Sequence, residues 1–480
     1  MSLLSLAVAA VAAVTPIADP SPTTLPQSSG TPVTAAPLTP TIAPENPFMA
    51  PNPVGNLHND PWMTDAYPDR PGPLGRGLVA DSGAMPLGLC GSLTFDSHGR
   101  LVTVCPSLSK PVTARVIDPS TLQILSTYVM PGGPNPAGPT AFQNFTGGGY
   151  FYLDGRDRIW SATKTSHLLV LSERDDGRRL VKTADYNLSS ALRPGERVTS
   201  ALPDFGGRVW FVSKKGGIVG VLNTKTRNIK SVRLGEEIEN SFAVDRGGVY
   251  IASDRKMYRF GLRDGKPRVT WSVTYKNSGI HKPGQVDAGT GTTPTLMSGG
   301  YVAIADNADP MDVVVYRKAA KLKHGQRRQV CAVPVFGKGA GATENSLNTA
   351  GRSLFVENNY GYQDPFGPKA GTMTAPGYAR VDVKADGSGC RLVWTNTDVR
   401  TPTVLAKLSN KTGLIYAYEQ SAPNVWFWLA IDAHTGRTAW RQYAGSGLAF
   451  NNNYAGVALG PDGTAYLGVV GGVVRLRDSN

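Results

Sequence analysis

The chain has 480 residues, 41% of them hydrophobic, with 55 Gly, 36 Pro and a formal net charge of +13. So much Gly and Pro, with no long charged or helix-rich stretch, points to a turn-rich β protein with a sizeable core rather than an α/β enzyme. The first Lys or Arg is Arg70, so all of the basic residues lie beyond the N-terminal region.

Residues 3–14, Leu-Leu-Ser-Leu-Ala-Val-Ala-Ala-Val-Ala-Ala-Val, make an apolar run ending in small residues. That is the length of a signal-peptide core and too short to span a bilayer, so residues 1–14 are expected to direct export. No later run is long enough for a membrane helix. The chain is therefore expected to be secreted or held at the cell envelope, without a transmembrane anchor. Eleven prolines fall between Pro16 and Pro53 among Ser, Thr and Ala. Such a composition cannot bury a core, and residues 15–55 are expected to be an extended, disordered spacer.

Residues 56–87 form the next unit. Its first part, Asn56-Leu-His-Asn-Asp-Pro-Trp-Met-Thr-Asp-Ala-Tyr67, is dense in His, Asp, Trp and Tyr. If this strap crosses a site, His58 would serve as base or ligand, oriented by Asp60 or Asp65. The alternative is a strap lying on the fold, anchored by Trp62. Cys90 and Cys105 flank a hairpin turning at Asp96-Ser97-His98-Gly99, so the two face each other across the ladder within disulfide range. Cys331 and Cys390 pair by elimination. No CxxC or clustered His supports a zinc site.

From here one unit recurs: an apolar strand, a tight Gly turn, and a second strand rich in β-branched and aromatic residues. The turns fall at Gly99, Gly155, Gly207, Gly248, Gly300, Gly351, Gly413 and Gly463, each followed by a run such as Ile159-Trp-Ser-Ala or Val209-Trp-Phe-Val. Glycine supplies the positive φ that such turns need. Spacings of about 40–60 residues match one four-stranded propeller blade. Residues 88–480 are thus expected to be an all-β, eight-bladed β-propeller of four-stranded antiparallel blades. The last copy, ending at Gly472-Val-Val-Arg-Leu-Arg477, lacks a strand, and Leu78-Val79-Ala80 and its neighbours are expected to close the ring from the N-terminal side. A closed ring hides its own edges, so a monomer is expected.

Inner strands of a propeller converge on the channel, so residues that begin them gather at one mouth. Two copies begin alike, Glu239-Asn240-Ser241 and Glu344-Asn345-Ser346. Two carboxylates would suit acid–base work, and with the amide oxygens would suit calcium; otherwise Asn and Ser cap turns and Glu is solvated. Glu357-Asn358-Asn359-Tyr360 and Asn451-Asn452-Asn453-Tyr454 add amides and aromatic groups fit for a carbohydrate or another polar small molecule, or for turns. Asp306-Asn307-Ala308-Asp309 is too short and incomplete for an EF-hand loop. The basic clusters, Arg317–Arg328 and Arg208–Arg233, would hold an anionic cell-wall polymer or simply deter edge pairing. No aromatic residue interleaves the first, which argues against a specific nucleic-acid platform. No Gly-x-Ser-x-Gly elbow, Walker loop or dinucleotide fingerprint is present.

One repeat, Leu429-Ala-Ile-Asp432-Ala-His-Thr-Gly436-Arg-Thr-Ala-Trp440, resembles the repeat of PQQ-like (quinoprotein-dehydrogenase-like) propellers, with Asp432 and Gly436 making the turn and Trp440 packing between blades. Some members of that family hold pyrroloquinoline quinone over calcium in the channel, with an Asp base. Others are non-catalytic scaffolds. The chain has no adjacent Cys-Cys pair, a feature of the alcohol-dehydrogenase branch, so bound quinone is not expected. Three readings remain: an exported enzyme working by carboxylate or metal assistance at the channel mouth, a non-catalytic envelope-binding propeller, and a quinone-dependent dehydrogenase.

Overall fold

A computed structural model describes residues 14–21, 23–85, 89–107, 110–134 and 149–479. The apolar run at residues 3–13 lies outside the described residues. The rest folds into eight sheets set round a central channel, each built on four antiparallel strands in sequence order or with one strand exchanged. Their inner strands are Ser92–Phe95, Phe151–Leu153, Val198–Pro203, Ala243–Asp245, Thr295–Met297, Asn348–Ala350, Lys407–Ser409 and Val457–Leu459, which define blades 1 to 8. The sheet of blade 7 has six strands, Ala66–Tyr67 adding a parallel one at its inner edge. Every recurrent unit read from the sequence corresponds to one blade. The missing strand of blade 8 is Val79–Ala84, which pairs antiparallel with Gly472–Arg477.

The turns follow the glycines with two exceptions. Gly99, Gly207, Gly300, Gly351, Gly413 and Gly463 take positive φ. Gly155 and Gly248 do not; in blade 2 the left-handed residue is Asp157, at φ 55°. Asp tolerates that region because its short polar side chain bonds locally. The core lies between blades, where second and third strands such as Val209–Ser213 and Ile218–Leu222 are buried throughout. Each fully buried large apolar side chain there contributes about 1.5–3 kcal/mol. Trp440 is buried against Tyr416, their rings 6.2 Å apart.

Two disulfides staple the ring. Cys90–Cys105 is internal to blade 1, and Cys331–Cys390 joins the outer strands of blades 5 and 6. Among the described residues no helix is long and apolar enough to cross a membrane.

The Pro-rich segment corrects the expectation of a disordered spacer. Ser28–Gly30 adds a strand to the outer edge of blade 7, and Val33, Ala36 and Leu38 donate backbone hydrogen bonds to Leu74, Thr412 and Asn410. Asn46 reaches the Pro203 carbonyl of blade 3, and Ala50 bonds Leu153 of blade 2. Composition forbids a core of its own, but an extended proline-rich chain loses little entropy on lying along another surface whose backbone groups it can satisfy.

The strap then enters the channel. Its carbonyls at Gly55, Pro61, Trp62, Thr64 and Asp65 accept N–H groups from inner strands of blades 2, 4, 5, 6 and 7 in turn. Val54 accepts from Thr94 of blade 1, and the Tyr67 hydroxyl accepts the Leu459 N–H of blade 8. The segment is a washer threaded inside the ring.

Candidate functional site

The starts of the inner strands and the turns between second and third strands share one face, and there the two Glu-Asn-Ser copies meet. Glu239, Asn240, Glu344, Asn345, Ser346, His58 and Tyr454 line one cavity of about 30 Å³, together with Tyr150 and Asn453. That is room for one or two water molecules. The connection between blades 4 and 5 lies against its wall: Glu344 Oε1 accepts the Val286 N–H at 3.0 Å, and the Tyr454 hydroxyl donates to Gly284 O at 3.2 Å.

Charge here is concentrated and poorly hydrated. Glu239 is buried and ion-paired with Lys214, the residue after the second strand of blade 3. Burial, with Asp287 close by, pushes the Glu239 carboxyl up to about 8 despite Lys214. Glu344 is raised well above the ordinary range by burial and by the negative charges of Glu239 and Asp287. Lys214 is held protonated by Glu239, its pKa raised against the cost of burial. Acids shifted so far by their surroundings gather at functional sites more often than elsewhere.

His58 enters from below. Its Nδ1 lies 3.0 Å from Asp65, and its ring stacks on Tyr150 at 6.0 Å. A proton held on Nδ1 by Asp65 leaves Nε2 as the acceptor, 3.5 Å from the Thr293 hydroxyl. Asp65 is also paired with the buried Lys407, and its contacts with His58 and Lys407 hold its carboxyl below the usual range although burial alone would raise it. Asp60 lies apart from the cavity; it accepts from Thr64 and from the Trp62 N–H, and burial raises it to about 7. The orienting partner of His58 is thus Asp65 rather than Asp60.

The remaining predicted residues stand behind this wall. Glu357 Oε1 accepts the amides of Asn345 and Asn359, and burial raises its carboxyl to about 8. Asn359 Oδ1 accepts the Glu344 N–H at 2.7 Å and so fixes the backbone that carries that acid. Asn358 pins Ala340, Ala342, Tyr360 and Pro376 by backbone bonds, and Tyr360 is half-buried outside the cavity. Asn452 is buried but faces Thr403; its neighbour Asn453 lines the cavity instead. Asn453 Oδ1 accepts the Tyr362 hydroxyl at 2.9 Å, whereas its buried Nδ2 has no hydrogen-bond partner among the described residues. Sequence reasoning missed Lys214, Asp287 and Tyr150. Only Lys214 carried a signal, since it ends a second strand and so reaches the same face as Glu357.

Among the described residues no three His, Cys, Asp or Glu side chains converge as a metal site. Asp306 accepts the N–H groups of Ala308 and Asp312 in a turn. The Arg317–Arg328 cluster is partly tied down: Lys318 pairs with Asp245 over the Trp62 ring, and Arg328 caps carbonyls beside Trp271.

No family model matches the chain. It is 29% identical over 321 residues to an uncharacterized protein of Archaeoglobus fulgidus, a match spanning 60% of this chain and 62% of that one. Among solved structures, a quinohemoprotein alcohol dehydrogenase from Comamonas testosteroni superposes with a TM-score of 0.56 at 11% identity, over 88% of this chain and 80% of its own. A europium-containing methanol dehydrogenase gives a TM-score of 0.54 at 11% identity, over 86% and 89%. The chain shares their propeller fold. At such identities the likeness extends to fold and not to chemistry.

The quinone of the resembling dehydrogenases does not fit the cavity. Pyrroloquinoline quinone is a tricyclic tricarboxylate, and sites for ligands of that size occupy about 300–1,000 Å³. The cavity here is far smaller, presents Glu239 and Glu344, and among the described residues has no Arg or Lys in its lining.

Proposed function

We propose that this propeller is an exported enzyme that performs acid–base chemistry on a small polar molecule in the cavity at the channel mouth. One observation carries the reading: two shifted carboxyls, Glu239 and Glu344, face a cavity also lined by Asn453, whose Nδ2 has no hydrogen-bond partner among the described residues. Lys214 stabilises charge on Glu239, so Glu239 ionises first and serves as the base. Glu344 then stays protonated and serves as the acid, because a second charge beside Glu239 and Asp287 is costly. His58 Nε2, oriented through Asp65, and the Asn453 Nδ2 position the molecule from opposite elements. The cavity volume, room for one or two waters, excludes a saccharide and limits the reactant to a few heavy atoms. Export is supported by the two disulfides, which form and persist in oxidising compartments.

The test is a turnover screen of small polar metabolites read by mass spectrometry, run in parallel with Glu344→Gln and Glu239→Gln. The wild type is expected to convert a compound with a rate that changes near pH 8, and each variant to lose at least about 100-fold, the contribution typical of a general acid or base. Equal conversion by all three proteins overturns the reading. The washer that fills the channel favours a second reading, a non-catalytic propeller that binds an envelope component on its outer surface.

A further inference from the structure

The opposite face carries a groove of about 650 Å³ between blades 2 and 3. Its walls come from a turn that the two blades share, Asp154-Gly-Arg156-Asp-Arg158-Ile-Trp160 and Asp204-Phe-Gly-Gly-Arg208-Val-Trp210. In each, Oδ1 of the first Asp accepts the N–H groups two and four residues on, at 3.0 and 3.2 Å in blade 2 and 2.8 and 3.0 Å in blade 3. Its Oδ2 accepts the indole N–H of the Trp, at 2.8 and 2.9 Å. The turn therefore delivers an Arg to the same place in neighbouring blades, side by side at the groove.

The two Arg differ in what they meet. Arg158 pairs with Asp154 at 2.7 Å and lies over the Trp160 ring. Arg208 has no carboxylate partner among the described residues, and neither have Arg156 and Lys225, which complete the lining. Four cations thus face one carboxylate. Rings sit beside them: Trp160 stacks between Tyr152 and Tyr186 at 5.6 and 5.9 Å. Phe48, 43% exposed, comes from the N-terminal segment and is set over Gly207, with Asn46 bonding both the Phe48 N–H and the Pro203 carbonyl. Asn223 spends its carbonyl oxygen on the N–H groups of Lys225 and Thr226, leaving its amide donor to the groove.

We propose that this groove binds an acidic oligosaccharide, its carboxylates on Arg156, Arg208 and Lys225 and an apolar sugar face on Phe48. A single exposed ring with amide and hydroxyl neighbours suits a sugar; a nucleic-acid strand would call for several rings for successive bases. The volume is that of a ligand site, and planar guanidinium groups suit carboxylates. The site lies on the face away from Glu239 and Glu344, so it stands independently of the acid–base reading.

Titration calorimetry with trigalacturonate, maltotriose and trithymidylate tests it on the full protein. Trigalacturonate is expected to bind, more weakly as salt is raised, while neutral maltotriose does not. Arg208→Ala with Lys225→Ala is expected to weaken binding at least about tenfold, as losing charge-assisted hydrogen bonds does. Glu344→Gln is expected to bind as the wild type does. The proposal is overturned if the wild type binds trigalacturonate no better than maltotriose, if trithymidylate binds as tightly, or if the double variant, melting like the wild type, keeps full affinity.

Discussion

Glu357→Gln isolates the energetics of the acids behind the cavity. Glu357 is buried with two amide donors and no ion-pair partner among the described residues, and its carboxyl rises from an ordinary 4.5 to about 8. Below pH 4.5 the folded and unfolded chains both hold the proton. Between pH 4.5 and 8 the unfolded chain releases it and the folded chain does not, so each pH unit lowers stability by about 1.4 kcal/mol. Above pH 8 both states are ionised and the dependence ends. The total is about 5 kcal/mol of stability present at low pH and lost by pH 8. Glutamine keeps the shape and the acceptor at Oε1 but has nothing to titrate. Urea unfolding at pH 5, 6.5 and 8 should therefore show the variant gaining on the wild type as pH rises. Parallel curves for the two proteins would refute a neutral, buried Glu357.

Three further outcomes follow from other parts of the ring. Asp65→Ala leaves Lys407 buried without its partner and should cost about 3–5 kcal/mol, read by urea unfolding. Cys331 and Cys390 are partly accessible whereas Cys90 and Cys105 are buried, so limited reduction followed by alkylation should label the first pair first in a mass spectrum. Replacing Cys331 and Cys390 by Ser removes a link across 59 residues and should lower stability by up to about 4 kcal/mol in the chain-entropy account, seen as an earlier unfolding midpoint.

The ring was legible because its information is local. A Gly turn followed by a β-branched run marks each blade wherever the blade sits, and Gly99 and Gly463 serve the same role 364 residues apart. The paired acids were legible for the same reason: Glu239 and Glu344 occupy equivalent places in equivalent units, and the ring brings such places together. What the sequence did not disclose depends on which surfaces meet. Asp287 reaches the site from a connection between blades that no repeat marks. Asn452 and Asn453 look interchangeable in sequence, but the left-handed backbone at Asn453 and Tyr454, at φ 32° and 62°, accompanies the turn that puts Asn453 in the cavity. The proline-rich segment was misjudged because composition reports that a segment builds no core, and is silent about edges elsewhere that can pair with it.

The acid–base reading is tested most directly by a crystal structure of the protein soaked with any compound that the turnover screen selects. The account predicts density for that molecule between Glu239 and Glu344, with an acceptor atom on Asn453 Nδ2. A compound turned over by the protein but bound away from these three side chains, with the cavity holding only water, would contradict it.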